Sequence, residues 1–253
     1  MCFTRATRNL WLFVNRIVKT ERALVIVPTY NERENVPTLI QRILCMAPDA
    51  DVLLIDDNSP DGTADCAAQM FGADPRFSIM RRKGLRGLGR SYADGYSYAL
   101  ERGYTLMIQM DADFSHDPSS LPDLIKGSET ADVVLGSRYC AGGKVRNWPR
   151  RRLWLSRFAN YYVSLITHLK VHDATSGFRC FRKGALEIIL DTPMLSEGYA
   201  FQVETLYRAY QAGLSIMEVP ITFVDRRVGK SKISRKVIFE SMVMPWRLRF
   251  NRR

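Results

Sequence analysis

The run Leu106-Met107-Ile108-Gln109-Met110 breaks off abruptly at Asp111-Ala112-Asp113. Its apolar residues are contiguous and do not alternate with polar ones, the signature of a strand buried on both faces of a parallel sheet. Ala23–Val27, Val52–Ile55, Phe77–Met80 and Asp132–Leu135 read as further strands. Between them lie segments with helical spacing: Val36–Met46, a stretch through Met70 that Asp61 or Thr63 can cap, and Gly89–Leu100 with Tyr92, Tyr96 and Ala99 on one face. Strands alternating with helices predict parallel βαβ units, hence an α/β fold with a mostly parallel central sheet flanked by helices.

From about residue 140 the alternation stops. Gly142-Gly143 opens a loop, Arg150-Arg151-Arg152 precedes an apolar helix over Leu153–His168, and Ser176–Phe181 reads as a short strand. Glu204–Ala212 has helical spacing and Ile216–Val224 is extended around Pro220. No repeat or low-complexity linker divides the chain, so one domain is expected over residues 21–235, flanked by two basic amphipathic segments, 1–20 and 236–253.

Charge narrows the partners. Thirty-seven Lys and Arg against 26 Asp and Glu give a formal charge of +11, which calls for nucleic acid, an anionic membrane surface or a phosphorylated substrate. No zinc pattern, RNP-type aromatic motif or helix-turn-helix is recognisable, so nucleic acid is not expected. The five cysteines are scattered without a CxxC, which argues against a disulfide framework or zinc site and for a reducing cytosolic setting. With three histidines, histidine-based metal catalysis is not expected. No apolar run approaches the ~20 residues of a bilayer span. The Leu10–Val14 run lacks a small-residue cleavage site, so a signal peptide is not expected.

The polar loops fall where strands end: Pro28–Glu32, Asp56-Asp57, Asp111 with Asp113, and Gly136-Ser137-Arg138. In an open α/β sheet, ligands bind beyond the carboxyl ends of the strands, so these loops can build one nucleotide site. Asp111 and Asp113 are hard oxygen donors suited to Mg²⁺ or Mn²⁺ completed by substrate phosphates. Tyr30 can stack on a base, Glu32 and Asp57 can accept from base or ribose groups, and Arg138 and Arg179 have the fork geometry for phosphate oxygens. Gly84–Gly89 lacks the GxGxxG spacing, although Lys83 beside it can reach a phosphate. His116 is expected to be a turn or supporting residue. Tyr161-Tyr162 and Trp154 are expected in the core, Asp173, Thr175 and Ser176 as turn residues or part of an acceptor mouth, and Glu204 as a structural carboxylate or a candidate base.

Six ordered segments carry a resemblance. Val27–Asn35, Asp56–Thr63, Asp111–His116, Gly136–Tyr139, Ser176–Arg179 and Asp225–Lys232 resemble the dolichyl- or polyprenyl-phosphate mannosyltransferases, inverting family-two glycosyltransferases of GT-A fold. The likeness runs from about residue 23 to 235. It implies GDP-mannose as donor, a polyprenyl or dolichyl monophosphate as acceptor, and a lipid-phosphate β-mannose as product. By position, Pro28, Tyr30, Glu32, Ile55 and Asp57 correspond to donor contacts, and Asp111, Ala112 and Asp113 to the segment at the metal and diphosphate. Arg138, Arg179, Arg226 and Lys232 correspond to the basic groups around donor and acceptor phosphates, with Asp113, Arg138, Arg226 and Lys232 as the catalytic set. Ser115 stands where some relatives place a metal-assisting Gln and is the third candidate ligand. The alternative within the class is another nucleotide sugar: UDP-glucose, UDP-GlcNAc or an aminopentose donor.

The chemistry agrees with this composition. A lipid phosphate is ionised at pH 7 and attacks without a strong base, so the burden falls on a cation for the leaving diphosphate and on Arg and Lys for the incoming anion. A greasy acceptor requires the bilayer surface. Residues 5–19 place Arg5, Arg8, Arg16 and Lys19 around Leu10, Trp11 and Phe13, and residues 232–253 place Lys236, Arg247, Arg249, Arg252 and Arg253 among Ile238, Met242, Trp246 and Phe250. Both suit an interfacial helix on anionic lipid at the cytoplasmic face, the alternative being recruitment by a separate membrane subunit.

Overall fold

The computed structural model describes residues 21–196, 198, 200–225 and 235–250, with the backbone alone at 235–240. The amphipathic segment 1–20, Arg226 and Lys232 lie outside the described residues.

A seven-stranded sheet forms the centre, in the order β3-β2-β1-β4-β7-β5-β8. Its strands are β1 (Ala23–Thr29), β2 (Ala50–Asp56), β3 (Phe77–Arg81), β4 (Leu106–Gln109), β5 (Val133–Ser137), β7 (Arg179–Arg182) and β8 (Ile216–Pro220). All neighbours pair in parallel except β7, which runs antiparallel between β4 and β5. A small parallel pair, β6 (Lys144–Arg146) with β9 (Thr222–Val224), lies apart from this sheet. The five strands expected from apolar runs are all present, and β7 is the expected short strand at 176–181 shifted to its second half.

The contiguity of the apolar runs has a direct cause in packing. Along β1, Val25 and Val27 face one core and Leu24 and Ile26 the other, so the whole apolar run is buried. The first core is closed by helices α1 (Val36–Met46), α2 (Thr63–Phe71) and α4 (Leu121–Gly127) through Leu39, Ile40, Ile43, Ala67, Leu121 and Leu124. The second is closed by α3 (Leu88–Glu101), α5 (Arg150–Thr167), α6 (Lys183–Leu190), α7 (Ala200–Gln211) and α8 (Arg235–Phe250). Tyr92, Tyr96 and Ala99 form the buried face of α3, as their spacing requires. Gly95 on that helix permits the closest approach, since a Cβ there would stand 2.7 Å from both Ile26 and Ile55.

The chain order fixes where a ligand can enter. β2 and β3 build outward on one side of β1, and β4 is added on the other. Loops leaving β1 and β4 therefore diverge, and the crevice between their carboxyl ends is the topological switch point. The loops after β2 and β5 open at the same edge. Because β7 is reversed, its entry, Ser176–Phe178, arrives there too.

Candidate active site

The loops after β1, β2, β4 and β5 and the entry to β7 meet at this edge. After β4 the chain turns through Asp111, Ala112 and Asp113, with Phe114 at φ 59°. A bulky residue in the left-handed region is strained and persists only where its surroundings hold it. Asn31 and Asn58, in the loops after β1 and β2, share this backbone conformation at φ 57° and 59°, and Asn tolerates it readily. Three neighbouring loops thus turn sharply at the same edge.

The two carboxylates of the turn are held differently. Asp111 is half-buried and receives the Tyr92 hydroxyl at 3.2 Å. Burial chiefly, with Asp111 adding to it, raises the Tyr92 pKa well above its ordinary value, so the phenol stays a donor. Asp113 is buried, at 8% exposure, and accepts the Ser115 N–H at 3.1 Å. His116 braces the turn from beneath: its Nδ1 accepts the Asp111 N–H at 3.3 Å and its ring stacks on Phe178, centroids 5.0 Å apart. Burial lowers the His116 pKa against the opposing pull of Asp111 and Asp113, which keeps the imidazole neutral and Nδ1 an acceptor.

Two hard carboxylates one residue apart, at the mouth of this crevice, fit a divalent cation that takes its remaining ligands from phosphate and water. Among the described residues no group of three or more His, Cys, Asp or Glu is placed to hold a metal alone. Ser115 is 3% exposed, and its carbonyl is engaged by the Val224 N–H at 3.3 Å. That bond also brings the end of β9, and with it Asp225, beside the turn. Asp225 is fixed by Arg152 at 2.7 Å.

Several residues read as substrate contacts hold other positions. Arg179 has no exposed surface and donates to the carbonyls of Ser176, Gln202 and Ala174 and to Thr205 Oγ1. It therefore ties β7 to α7 and cannot clamp a phosphate. Burial brings its pKa down to about 10. Ile55 is likewise wholly buried against α3, and Ala112 packs into the first core at 4% exposure, so neither offers a side chain to a ligand. Arg138, at 7% exposure, forks onto Asp173. Glu204 is fully buried and accepts from Leu195 N, Ser196 N, Ser196 Oγ and Arg208, which makes it a structural carboxylate. Trp154 and Tyr161 are 70% and 64% exposed, the reverse of the expected core placement.

The residues read as donor contacts sit on or beside the adjoining loops after β1 and β2. Tyr30 is half-buried, with the Arg86 guanidinium 4.2 Å from its ring centre. Glu32 accepts from Asn35 Nδ2 at 2.8 Å, and its N–H donates to Thr63 at 3.0 Å. Pro28 pairs with Ile55 across β1 and β2. The Asp57 carboxylate is taken up by Arg82, by the Gly87 N–H at 3.0 Å and by Ser91. Arg82 extends this to Asp94 at 2.6 Å. The glycine-rich loop thus docks its backbone onto Asp57, a role that its missing GxGxxG spacing concealed.

Residues 24–190 match the family described as Glycosyl transferase family 2. The chain belongs to glycosyl transferase family 2. This transferase is 45% identical over 234 residues to the polyprenol monophosphomannose synthase of Mycolicibacterium smegmatis, covering 91% of this chain and 88% of that protein. It is 42% identical over 222 residues to the undecaprenyl-phosphate mannosyltransferase of Micrococcus luteus, covering 88% and 91%. Among solved structures it resembles glucosyl-3-phosphoglycerate synthase from Mycobacterium tuberculosis with phosphoglyceric acid, at TM-score 0.68 and 17% identity over 89% of this chain and 80% of that one. A mannosyltransferase from Pyrobaculum calidifontis in complex with GDP-Man and Mn²⁺ superposes at TM-score 0.54 and 16% identity, over 90% and 72%. These likenesses show the GT-A fold for this transferase.

Proposed function

We propose that this transferase moves mannose from GDP-mannose to a polyprenyl monophosphate, inverting the anomeric carbon, with Mg²⁺ or Mn²⁺ bound. One observation carries the reading: 45% identity to a polyprenol monophosphomannose synthase extends over nearly the whole of both chains. The crevice between β1 and β4, with Asp111 and Asp113 at its mouth, supplies matching chemistry.

Asp111 and Asp113 would hold the cation, which when bound offsets charge on the departing diphosphate. Tyr92 and His116 keep the Asp111 turn in position. Tyr30 offers a ring face to the guanine. The incoming phosphate is already an anion, so the acceptor needs positioning and charge compensation more than a base. Glu204, the candidate base, is sequestered by four donors, in keeping with this division. The cationic role falls to Arg226, next in sequence to the anchored Asp225, and to Lys232, seven residues after it.

The acceptor's chain requires an apolar surface. Helices α5 and α8 pack together, the Tyr162 hydroxyl donating to the Met242 carbonyl and receiving the Trp246 N–H, both at 2.8 Å. They expose Trp154, Leu155, Phe158, Tyr161, Leu165, Met242, Trp246 and Phe250. Arg150, Arg151, Arg157 and Arg247 are exposed on the same helices. Exposed apolar side chains and exposed arginines on two packed helices suit a peripheral seat on anionic lipid. No described helix is long and apolar enough to cross a membrane. We place the enzyme on the cytoplasmic face, where a nucleotide sugar would be supplied.

The test is transfer of label from GDP-mannose to polyprenyl phosphate, read as organic-extractable product with and without Mg²⁺ or Mn²⁺, beside UDP-glucose, UDP-GlcNAc and an aminopentose donor. Metal-dependent label from GDP-mannose alone is expected. Label from a uridine donor in its place would overturn the choice of sugar.

A further inference from the structure

Five buried side-chain atoms among the described residues lack a hydrogen-bond partner, and one of them, Gln202 Oε1, belongs to a side chain that borders the Asp111 carboxylate. Gln202 stands in the first turn of α7 at 3% exposure. Its backbone is pinned, because its carbonyl accepts from the buried Arg179 at 2.5 Å and from Thr205 at 3.1 Å. The side chain points toward the carboxylate turn. A Cβ placed on Gly177 would lie 3.4 Å from Gln202 Nε2, 3.5 Å from Asp111 Oδ2 and 3.6 Å from His116 Cε1. The amide and the carboxylate therefore border one small space, which exists because residue 177 carries no side chain.

A buried amide oxygen without a partner has lost its water and gained nothing in return, unless a ligand supplies the missing hydrogen bond. An amide also offers donor and acceptor together and carries no charge. It therefore suits a neutral hydroxyl better than a phosphate. We propose that Gln202 binds hydroxyls of the transferred sugar and fixes its orientation beside Asp111. This rests on the sugar-nucleotide reading above. If the diphosphate and its cation sit on Asp111 and Asp113, the sugar joined to that diphosphate is the part of the donor within reach of Gln202. An amide does not take up a proton at working pH, so the role is recognition and not base catalysis.

The experiment compares dissociation constants of GDP and GDP-mannose, with Mn²⁺, for the wild type, Gln202→Leu and Gly177→Ala. Gln202→Leu should leave GDP binding within about twofold and weaken GDP-mannose about tenfold, the loss of one good hydrogen bond. KM for GDP-mannose should rise likewise, and discrimination against one deoxymannose donor should disappear. Gly177→Ala adds a methyl group at ordinary contact distance, so it should fold and shift sugar binding the same way by filling the space. Folded variants that bind GDP-mannose as the wild type does, or that lose GDP and GDP-mannose equally, would overturn the proposal. If Gln202→Leu does not fold, Gly177→Ala decides. A wild type that prefers another nucleotide sugar would defeat the mannose reading alone, and the two variants would then be judged on that donor against its bare nucleotide.

Discussion

Arg138 and Asp173 form a forked ion pair inside the protein. Arg138 Nε lies 2.7 Å from Oδ2 and Nη2 lies 2.6 Å from Oδ1, while the Arg138 N–H meets Oδ2 at 2.9 Å. Asp173 has no exposed surface. Burial opposes the charge on Arg138, but Asp173 outweighs it and holds the guanidinium pKa above its ordinary value. Thr175 Oγ1 takes a further bond from Nη2 at 2.7 Å. The pair thus joins the end of β5 to the loop that enters β7, directly behind the crevice.

Removing one partner leaves the other charged and buried. Asp173→Asn should cost about 3–5 kcal/mol of stability. Replacing both residues with apolar ones, as in Arg138→Met with Asp173→Leu, should cost less than the sum of the single changes. Urea unfolding of the four proteins checks this, and strictly additive losses would contradict a coupled pair.

The carboxylate turn should separate chemistry from folding. Asp113→Ala should reduce transfer about a thousandfold or more, the several kcal/mol that a metal contributes to a leaving diphosphate, with little change in melting temperature. EDTA should do the same to the wild type, reversed by Mn²⁺ or Mg²⁺. Tyr92→Phe removes only the hydroxyl that steadies Asp111. It should raise the metal concentration for half-maximal activity about tenfold and leave activity at saturating metal near normal. A metal titration of each variant reads both effects.

The fold was legible because contiguous apolar runs have one common cause, a sheet covered on both faces. The Asp111–Asp113 turn was legible because it interrupts such a run. Arg179 was misread because a motif records residue order and not which face of β7 a side chain takes. Its neighbours Phe178, Cys180 and Phe181, all fully buried, were the signal that it lay in a core strand. Arg138 was assigned to phosphate because its buried partner lies 35 residues away in sequence. Trp154 and Tyr161 were placed in the core on residue type alone, yet α5 turns them outward beside exposed arginines. Gln202 gave no sequence signal, since its meaning depends on Gly177 and Asp111 arriving from two other elements.

Acid should loosen the far end of the sheet through Asp132. Its Oδ2 accepts the Ser215 hydroxyl at 2.6 Å and the Ser215 N–H at 2.9 Å, joining the starts of β5 and β8. The Ser215 hydroxyl, then its amide, lower the carboxyl pKa from the ordinary 3.8. A lowered folded pKa means that the unfolded chain binds the proton more tightly. The contribution is therefore complete above about pH 4 and is lost as pH falls through the folded value. Asp132→Asn should be less stable than the wild type at pH 6, and the gap should narrow toward pH 3. A gap that stays constant over that range would remove the ionic account.

The last prediction concerns the face made by α5 and α8. Trp154 and Phe158 stack with centroids 5.7 Å apart and are 70% and 49% exposed, so they contribute little to folding where they stand. An apolar side chain moved from water into lipid gains roughly 1.5–3 kcal/mol, and each basic residue near an anionic surface adds about 1 kcal/mol. Trp154→Ser with Phe158→Ser should therefore cut partition onto anionic vesicles more than tenfold, with the melting temperature unchanged. Transfer to a short, water-soluble polyprenyl phosphate should be kept, because both side chains stand exposed on α5 and stack on each other. Charge reversal at Arg150 and Arg151 should weaken vesicle binding most at low salt, where screening is least. If wild-type protein does not bind anionic vesicles at low or high salt, this face is not a lipid seat, and recruitment by a separate membrane subunit becomes the better account of how the enzyme meets its acceptor.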